Sequence, residues 1–119
     1  MVRLGNLERA IMEALWQHPD GVFAHDLAAG LPSQPATTTV LTVLVRLSTK
    51  GLVTRERVGR AHLYRAAVEK DAVVAEAMRA ALEEAGDVEA AVQRFVGTVT
   101  PKVAAALREA LEARDGGQP

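Results

Sequence analysis

The sequence contains no cysteine, and among its 119 residues it has only one Trp, one Tyr and two Phe. Without cysteine the chain can form no disulfide bond, no thiolate metal site and no cysteine nucleophile. It also lacks an apolar run of about 18 residues, which a membrane span needs, and the basic and then apolar start of a signal peptide. We therefore expect a soluble cytoplasmic protein with no membrane partner and a core rich in Val, Leu and Ala.

Positive charge is concentrated in one part of the chain. Between residues 46 and 65 there are six basic residues and a single acid, whereas the whole chain has a formal net charge of −1. The six basic residues are Arg46, Lys50, Arg55, Arg57, Arg60 and Arg65. Such a local excess of cations is typical of a module that binds a polyanion, and nucleic acid is the usual one.

The same region has the element order of a winged helix-turn-helix. Apolar residues at helical spacing predict three helices, at 7–16, 24–29 and 37–49. We expect Asn6 to cap the first helix and Lys50-Gly51 to end the third. A strand then leads to a turn at 58–61, where Gly59 can take a positive φ, and a second strand returns. The predicted fold class is mainly α (α+β).

The C-terminal part is predicted to be helical throughout, with segments at 69–85, 87–99 and from Pro101 onward, and a frayed tail at 116–119. Apolar residues recur there every three or four positions and form a stripe that needs a partner. These residues are Val88, Val92, Phe95, Val96, Val99, Val103, Leu107 and Leu111. We interpret 1–68 as a winged-helix DNA-binding domain and 69–119 as a helical dimerisation region.

The third helix and the hairpin contain the side chains expected to contact DNA. A recognition helix needs small or polar residues at its N-terminal end, and the wing needs cations at its tip. The candidates are Thr37, Thr38, Thr39, Thr42, Arg46, Lys50, Arg55, Arg57 and Arg60. The threonine methyls could also meet a thymine methyl. The alternative interpretation is that the threonines only cap the helix and the arginines only solvate the surface.

No pattern of catalytic or metal-binding residues is present. His18, His25 and His62 fall on three different predicted elements and have no helical pairing, so we interpret them as surface residues. We expect no enzyme activity, no metal and no cofactor. An alternative from another class is a winged-helix module that binds a protein instead of DNA. The basic hairpin argues against it, since protein-binding winged helices need no such charge.

Three segments resemble the penicillinase-repressor family (BlaI/MecI/CopY type). They are LGNLERAIMEALW at 4–16, TTTVLTVLVRLSTKGLVTRERVGRAHLYRA at 37–66 and DVEAAVQRFV at 87–96. The resemblance implies a bacterial repressor that binds a palindromic promoter operator as a homodimer. It places Thr38, Thr39, Arg46 and Arg60 at the DNA, and the helices after Asp87 at the dimer interface.

The sequence departs from the family pattern in ways that bear on DNA contacts and on the signal. Thr37 stands where the family often has an aromatic residue, and Val45 where a polar residue is common. Penicillin-responsive members are cut by a sensor protease at an Asn-Phe bond. Arg94-Phe95 stands at the corresponding place, which argues against such a protease as a partner. Copper-responsive members carry a C-terminal cysteine hook, and this chain cannot use that mechanism because it has no cysteine.

Overall fold

A computed structural model describes residues 4–116 of the chain. The helices are α1 (Asn6–Gln17), α2 (Ala24–Gly30), α3 (Thr37–Thr49), α4 (Lys70–Glu83), α5 (Val88–Thr98) and α6 (Pro101–Gly116). The strands are β1 (Val22–Phe23), β2 (Val53–Val58) and β3 (Ala61–Ala66). The expected mainly helical α+β class is confirmed. Of the predicted frayed tail, Gly116 ends α6, and residues 117–119 lie outside the described part of the chain.

The sheet has three antiparallel strands in the order β1-β3-β2, so the prediction of two strands was incomplete. In β1, Val22 pairs with Tyr64 and Phe23 with Leu63. Two residues are too short to show a period-two pattern, which is why the sequence did not reveal this strand. The predicted hairpin of β2 and β3 is confirmed, and Gly59 in its turn has a φ of 62°.

The first helix begins at Asn6, the residue predicted to cap it, which is one position earlier than expected. Gly5 occupies the N-cap position, with extended backbone angles, and Asn6 is the first helical residue. The Gly5 N–H donates to Glu8 Oε1 over 3.0 Å, which satisfies a donor that the helix itself leaves without a partner. The prediction that Asn6 caps α1 was therefore wrong, because the capping contact comes from the Glu8 side chain.

One apolar core holds α1, α2, α3 and the hairpin together. Its buried members include Ile11, Met12, Leu15, Leu27, Val40, Leu44, Leu47 and Tyr64. Trp16 adds a hydrogen bond from its indole Nε1 to the carbonyl oxygen of Val68, over 2.9 Å. Because α3 contributes four buried residues to this core, its orientation is fixed by packing, and its other face is left exposed.

The chain divides into two compact units, residues 1–78 and 79–119. The division falls inside α4, whereas the sequence suggested a boundary just before that helix. Val68 and Val73 pack against the winged-helix core, which accounts for the first part of α4 belonging to the first unit. Within residues 4–116, no helix has the length and apolar character needed to cross a bilayer.

Candidate nucleic-acid interface

The outward face of α3 is a single stripe of four residues. Val40, Val43, Leu44 and Leu47 are the buried residues of this helix. Opposite them, at spacings of four, three and four residues, lie Thr38, Thr42, Val45 and Thr49, and all four are exposed. These spacings keep the four side chains on one face of a helix with 3.6 residues per turn. The second helix of the helix-turn-helix therefore presents a continuous surface to solvent.

The threonines on this helix do not act as its caps. Ala36 is the N-cap of α3, and no side chain within residues 4–116 caps that end. Further along, Thr42 Oγ1 donates to the carbonyl oxygen of Thr38 and Thr49 Oγ1 donates to that of Val45, each over 3.0 Å. The capping interpretation thus finds no support in the structure, and two of the hydroxyl protons are used inside the helix.

Lys50 is held by a carboxylate at the end of α3. Its Nζ lies 2.8 Å from Glu8 Oε2, and the Glu8 side chain is 13% exposed. The hydrogen bond from Lys50 lowers the pKa of the Glu8 carboxyl, and the Gly5 N–H and the positive charges of Lys50 and Arg46 lower it further. Glu8 therefore remains ionised at neutral pH and balances the charge of Lys50. The sequence showed Glu8 only as an acid in the first turn of a helix.

An open groove of about 450 Å³ separates the start of α1 from α3. It is lined by Gly5, Asn6, Leu7, Glu8, Thr39, Thr42, Val43 and Arg46. Three of the predicted DNA-contacting residues thus share one groove with an acidic side chain from α1. The groove joins two segments that are more than 30 residues apart in the sequence, so only the fold brings them together.

The arginines of the β2–β3 hairpin differ in the partners of their side chains. Arg57 Nε donates to the carbonyl oxygen of Gly59 over 3.2 Å, which fixes the turn. Arg65 Nη1 lies 2.9 Å from Glu56 Oε1, so its charge is balanced within the sheet. Arg55 and Arg60 are exposed and have no hydrogen bond or ion pair to other described residues. Arg55 and Arg60 are therefore the wing cations best placed to take a phosphate.

Two apolar residues near this surface were not among the predicted contacts. Val45 is 61% exposed and Leu41 is 38% exposed, although both belong to α3. One sequence signal for Val45 was present, because Val45 follows Thr38 by seven residues and so shares its face of the helix. Among residues 4–116, no group of three His, Asp or Glu side chains is arranged to hold a metal ion.

In the second unit, the apolar stripe predicted for dimerisation is exposed. Neither α5 nor α6 contains a buried residue. Its six large exposed side chains range from 38% to 56% exposure, and they are Val88, Val92, Phe95, Val96, Val103 and Leu111. The other two predicted residues, Val99 and Leu107, are half-buried. An apolar surface of this extent is a typical protein interface.

Sequence comparison identifies relatives along nearly the whole chain. A sequence model described as penicillinase repressor matches residues 4–113. Two proteins named transcriptional regulator BlaI, from the CDC 1551 / Oshkosh and H37Rv strains of Mycobacterium tuberculosis, are each 40% identical over 127 residues. Each alignment covers 100% of this chain and 92% of the relative.

Solved structures show the same fold at lower identity. MepR, a transcription regulator of the Staphylococcus aureus multidrug efflux pump MepA, has a TM-score of 0.52 at 19% identity, covering 95% of this chain and 78% of its own. A MepR variant bound to an oligodeoxyribonucleotide has a TM-score of 0.53 with the same identity and coverage. The zinc-responsive MarR family member ZitR of Lactococcus lactis has a TM-score of 0.52 at 19% identity, covering 97% of this chain and 76% of its own.

Proposed function

The chain belongs to the penicillinase-repressor family and is a DNA-binding transcriptional repressor, and we propose that it binds a palindromic promoter operator as a homodimer. In this proposal α3 enters the major groove, and the wing from β2 to β3 contacts the backbone or the minor groove. Family membership argues against the alternative of a winged-helix module that binds only proteins. It likewise places the chain among regulators and not among enzymes.

The observation that carries this proposal is the exposed stripe on α3 together with the cations around it. Buried residues on the opposite face fix the helix, so the stripe is presented rigidly, as a recognition surface requires. Arg46 lies next to the stripe, and Arg55 and Arg60 extend from the adjacent hairpin. Cations beside a protruding helix position it on phosphates, and the helix itself reads base edges.

The homodimer is supported by the apolar surface of the second unit. A chain that left Phe95 at 45% exposure and several valines beside it uncovered would carry an aggregation hazard. A second copy of the same surface is a suitable cover, because most soluble oligomers are symmetric dimers with self-complementary interfaces. A two-fold axis in the protein then requires an inverted repeat in the DNA, with half-sites about one helical turn apart.

The same proposal includes the cellular context. A repressor of a promoter works where the chromosome is, so we place the protein in the cytoplasm. Inactivation by a sensor protease at the position of the family's Asn-Phe bond is disfavoured, because Arg94 replaces the asparagine. A change in the residue before the scissile bond alters what a protease pocket must accommodate.

Selection from a pool of randomised duplexes tests the DNA-binding part directly. Duplexes retained by the purified protein should converge on an inverted repeat, and anisotropy titrations should show binding that weakens steeply with salt. Arg46→Ala should reduce affinity, whereas Arg114→Ala, which removes an equal charge from the last turn of α6, should not. Failure to enrich any sequence, together with unaltered binding by Arg46→Ala, would contradict the proposed interface.

A further inference from the structure

The exposed stripe of α3 offers methyl groups more than hydrogen-bond donors. Val45 occupies its middle and is 61% exposed. On either side of it, the hydroxyls of Thr42 and Thr49 donate to carbonyl oxygens of their own helix, so those two protons are not available to a base. A hydroxyl bonded to the helix backbone is turned inward, and the γ-methyl is then what the side chain offers outward.

A single exposed apolar side chain on a protein surface is ordinary and needs no explanation. Val45 differs because of its place. It lies on the second helix of the helix-turn-helix of a DNA-binding repressor, between the half-exposed Leu41 and the cation of Arg46. Positive charge beside the stripe indicates that the partner is a polyanion such as DNA. The apolar side chain in the middle of the stripe must then contact an apolar group of that DNA.

Only one base presents an apolar group in the major groove. Thymine has the C5-methyl there, whereas guanine, adenine and cytosine present acceptors and amino donors. A surface of valine and threonine methyls therefore matches thymine in shape and in its lack of polar groups. It would leave the amino group of cytosine or adenine without a partner, which disfavours those bases at the same place.

We propose that this repressor reads thymine C5-methyl groups in its operator through an apolar contact centred on Val45, with the Thr42 methyl beside it. The inference rests on the proposed insertion of α3 into the major groove and adds the class of base edge that the helix recognises. Arg46 fixes the register on the backbone, and Val45 supplies discrimination. Each operator half-site then has a thymine opposite Val45.

Replacing thymine by uracil tests this contact, because the change removes the C5-methyl and leaves every hydrogen-bonding atom in place. Operators selected from the randomised pool are synthesised with uracil at one thymine at a time. At the position opposite Val45, affinity should fall about fourfold per half-site, the effect of losing one buried methyl-sized group. Uracil at thymines outside the half-sites is the matched control and should change affinity little.

The protein side of the test uses Val45→Ala, which removes the methyls from an exposed helical position where alanine is a good helix former. Folding should be intact, so circular dichroism should be unchanged. Specific affinity should fall and non-specific affinity should stay the same. Because the variant lacks the Val45 methyls and keeps only the Thr42 methyl beside thymine, uracil at the critical position should cause a smaller loss of affinity than in wild type.

Three results would overturn the inference. The first is that uracil at every thymine of the half-site leaves affinity unchanged. The second is that Val45→Ala loses as much affinity as wild type when thymine is replaced by uracil. The third is that Val45→Ala weakens specific and non-specific binding equally. Each of these requires that the protein binds a selected sequence. If no sequence is selected at all, the proposed function itself fails, and the two outcomes are therefore distinguishable.

Discussion

Removing the charge of Glu8 should make this repressor bind DNA more tightly. Glu8 Oε2 is 2.8 Å from Lys50 Nζ, at the end of the proposed recognition helix, and its other oxygen accepts the Gly5 N–H. In Glu8→Gln the amide oxygen can still accept from Gly5, so the start of α1 keeps its cap. The carboxylate charge is lost, however, so the contact between Glu8 and Lys50 weakens and a DNA phosphate can compete for the Lys50 ammonium.

The size of the effect follows from counterion release. One additional phosphate contact steepens the plot of log affinity against log salt by about 0.9. Between about 50 and about 200 mM salt, the ratio of variant to wild-type affinity should then fall by about 3.5-fold for one protomer and about 12-fold for a dimer. Since phosphate contacts contain no sequence information, operator and unrelated duplexes should respond alike.

Anisotropy titrations at four salt concentrations measure these slopes, with Glu13→Gln as the matched control. Glu13 lies on the same helix and pairs with Lys70 over 2.8 Å, but it does not line the groove beside α3. That variant should keep the wild-type slope. An unchanged or shallower slope for Glu8→Gln would refute the reasoning and would show that the pair only fastens α1 to α3.

Acid provides an independent check on the same pair. The pKa of Glu8 is lowered in the folded chain, mainly by the Lys50 hydrogen bond. A carboxyl whose pKa is lowered in the folded state stabilises the fold at pH values above the pKa of an ordinary carboxyl. This contribution is lost as pH falls through the folded-state pKa. The free energy of unfolding should therefore decline less on acidification in Glu8→Gln than in wild type. Denaturant titrations across the acid range measure this difference.

Three further variants test other parts of the molecule. Arg60→Ala should weaken binding to operator and unrelated DNA by similar factors, and it should lower the slope of log affinity against log salt by roughly one unit per protomer. An unchanged slope would show that the wing tip does not contact DNA. Phe95→Asp should yield monomers in sedimentation, because it places a charge in an apolar seam, and a variant that stays dimeric would contradict the proposed interface. Gln34 has a φ of 43°, so Gln34→Gly should raise the free energy of unfolding by about 0.5 kcal/mol, and a lower melting temperature would contradict this.

The sequence alone determined those elements whose signals are local. The predicted third helix, 37–49, matches α3 residue for residue, because four apolar residues recur at helical spacing and Lys50-Gly51 ends the pattern. The hairpin turn at 58–61 also matches, since Gly59 supplies the positive φ that the turn requires. The charge excess that indicates nucleic acid is likewise a property of composition and needs no fold.

Only the tertiary structure decided which of these residues are available to DNA. Glu8 and Lys50 are 42 residues apart, and no local pattern predicts that they form a pair. Among the wing arginines, the pairing of Arg65 with Glu56 depends on strand register, which is set by packing against the core. The outward exposure of Val45 likewise depends on the core, which decides which face of α3 is buried. Local periodicity specifies elements, but exposure and partnership arise from contacts between segments distant in sequence.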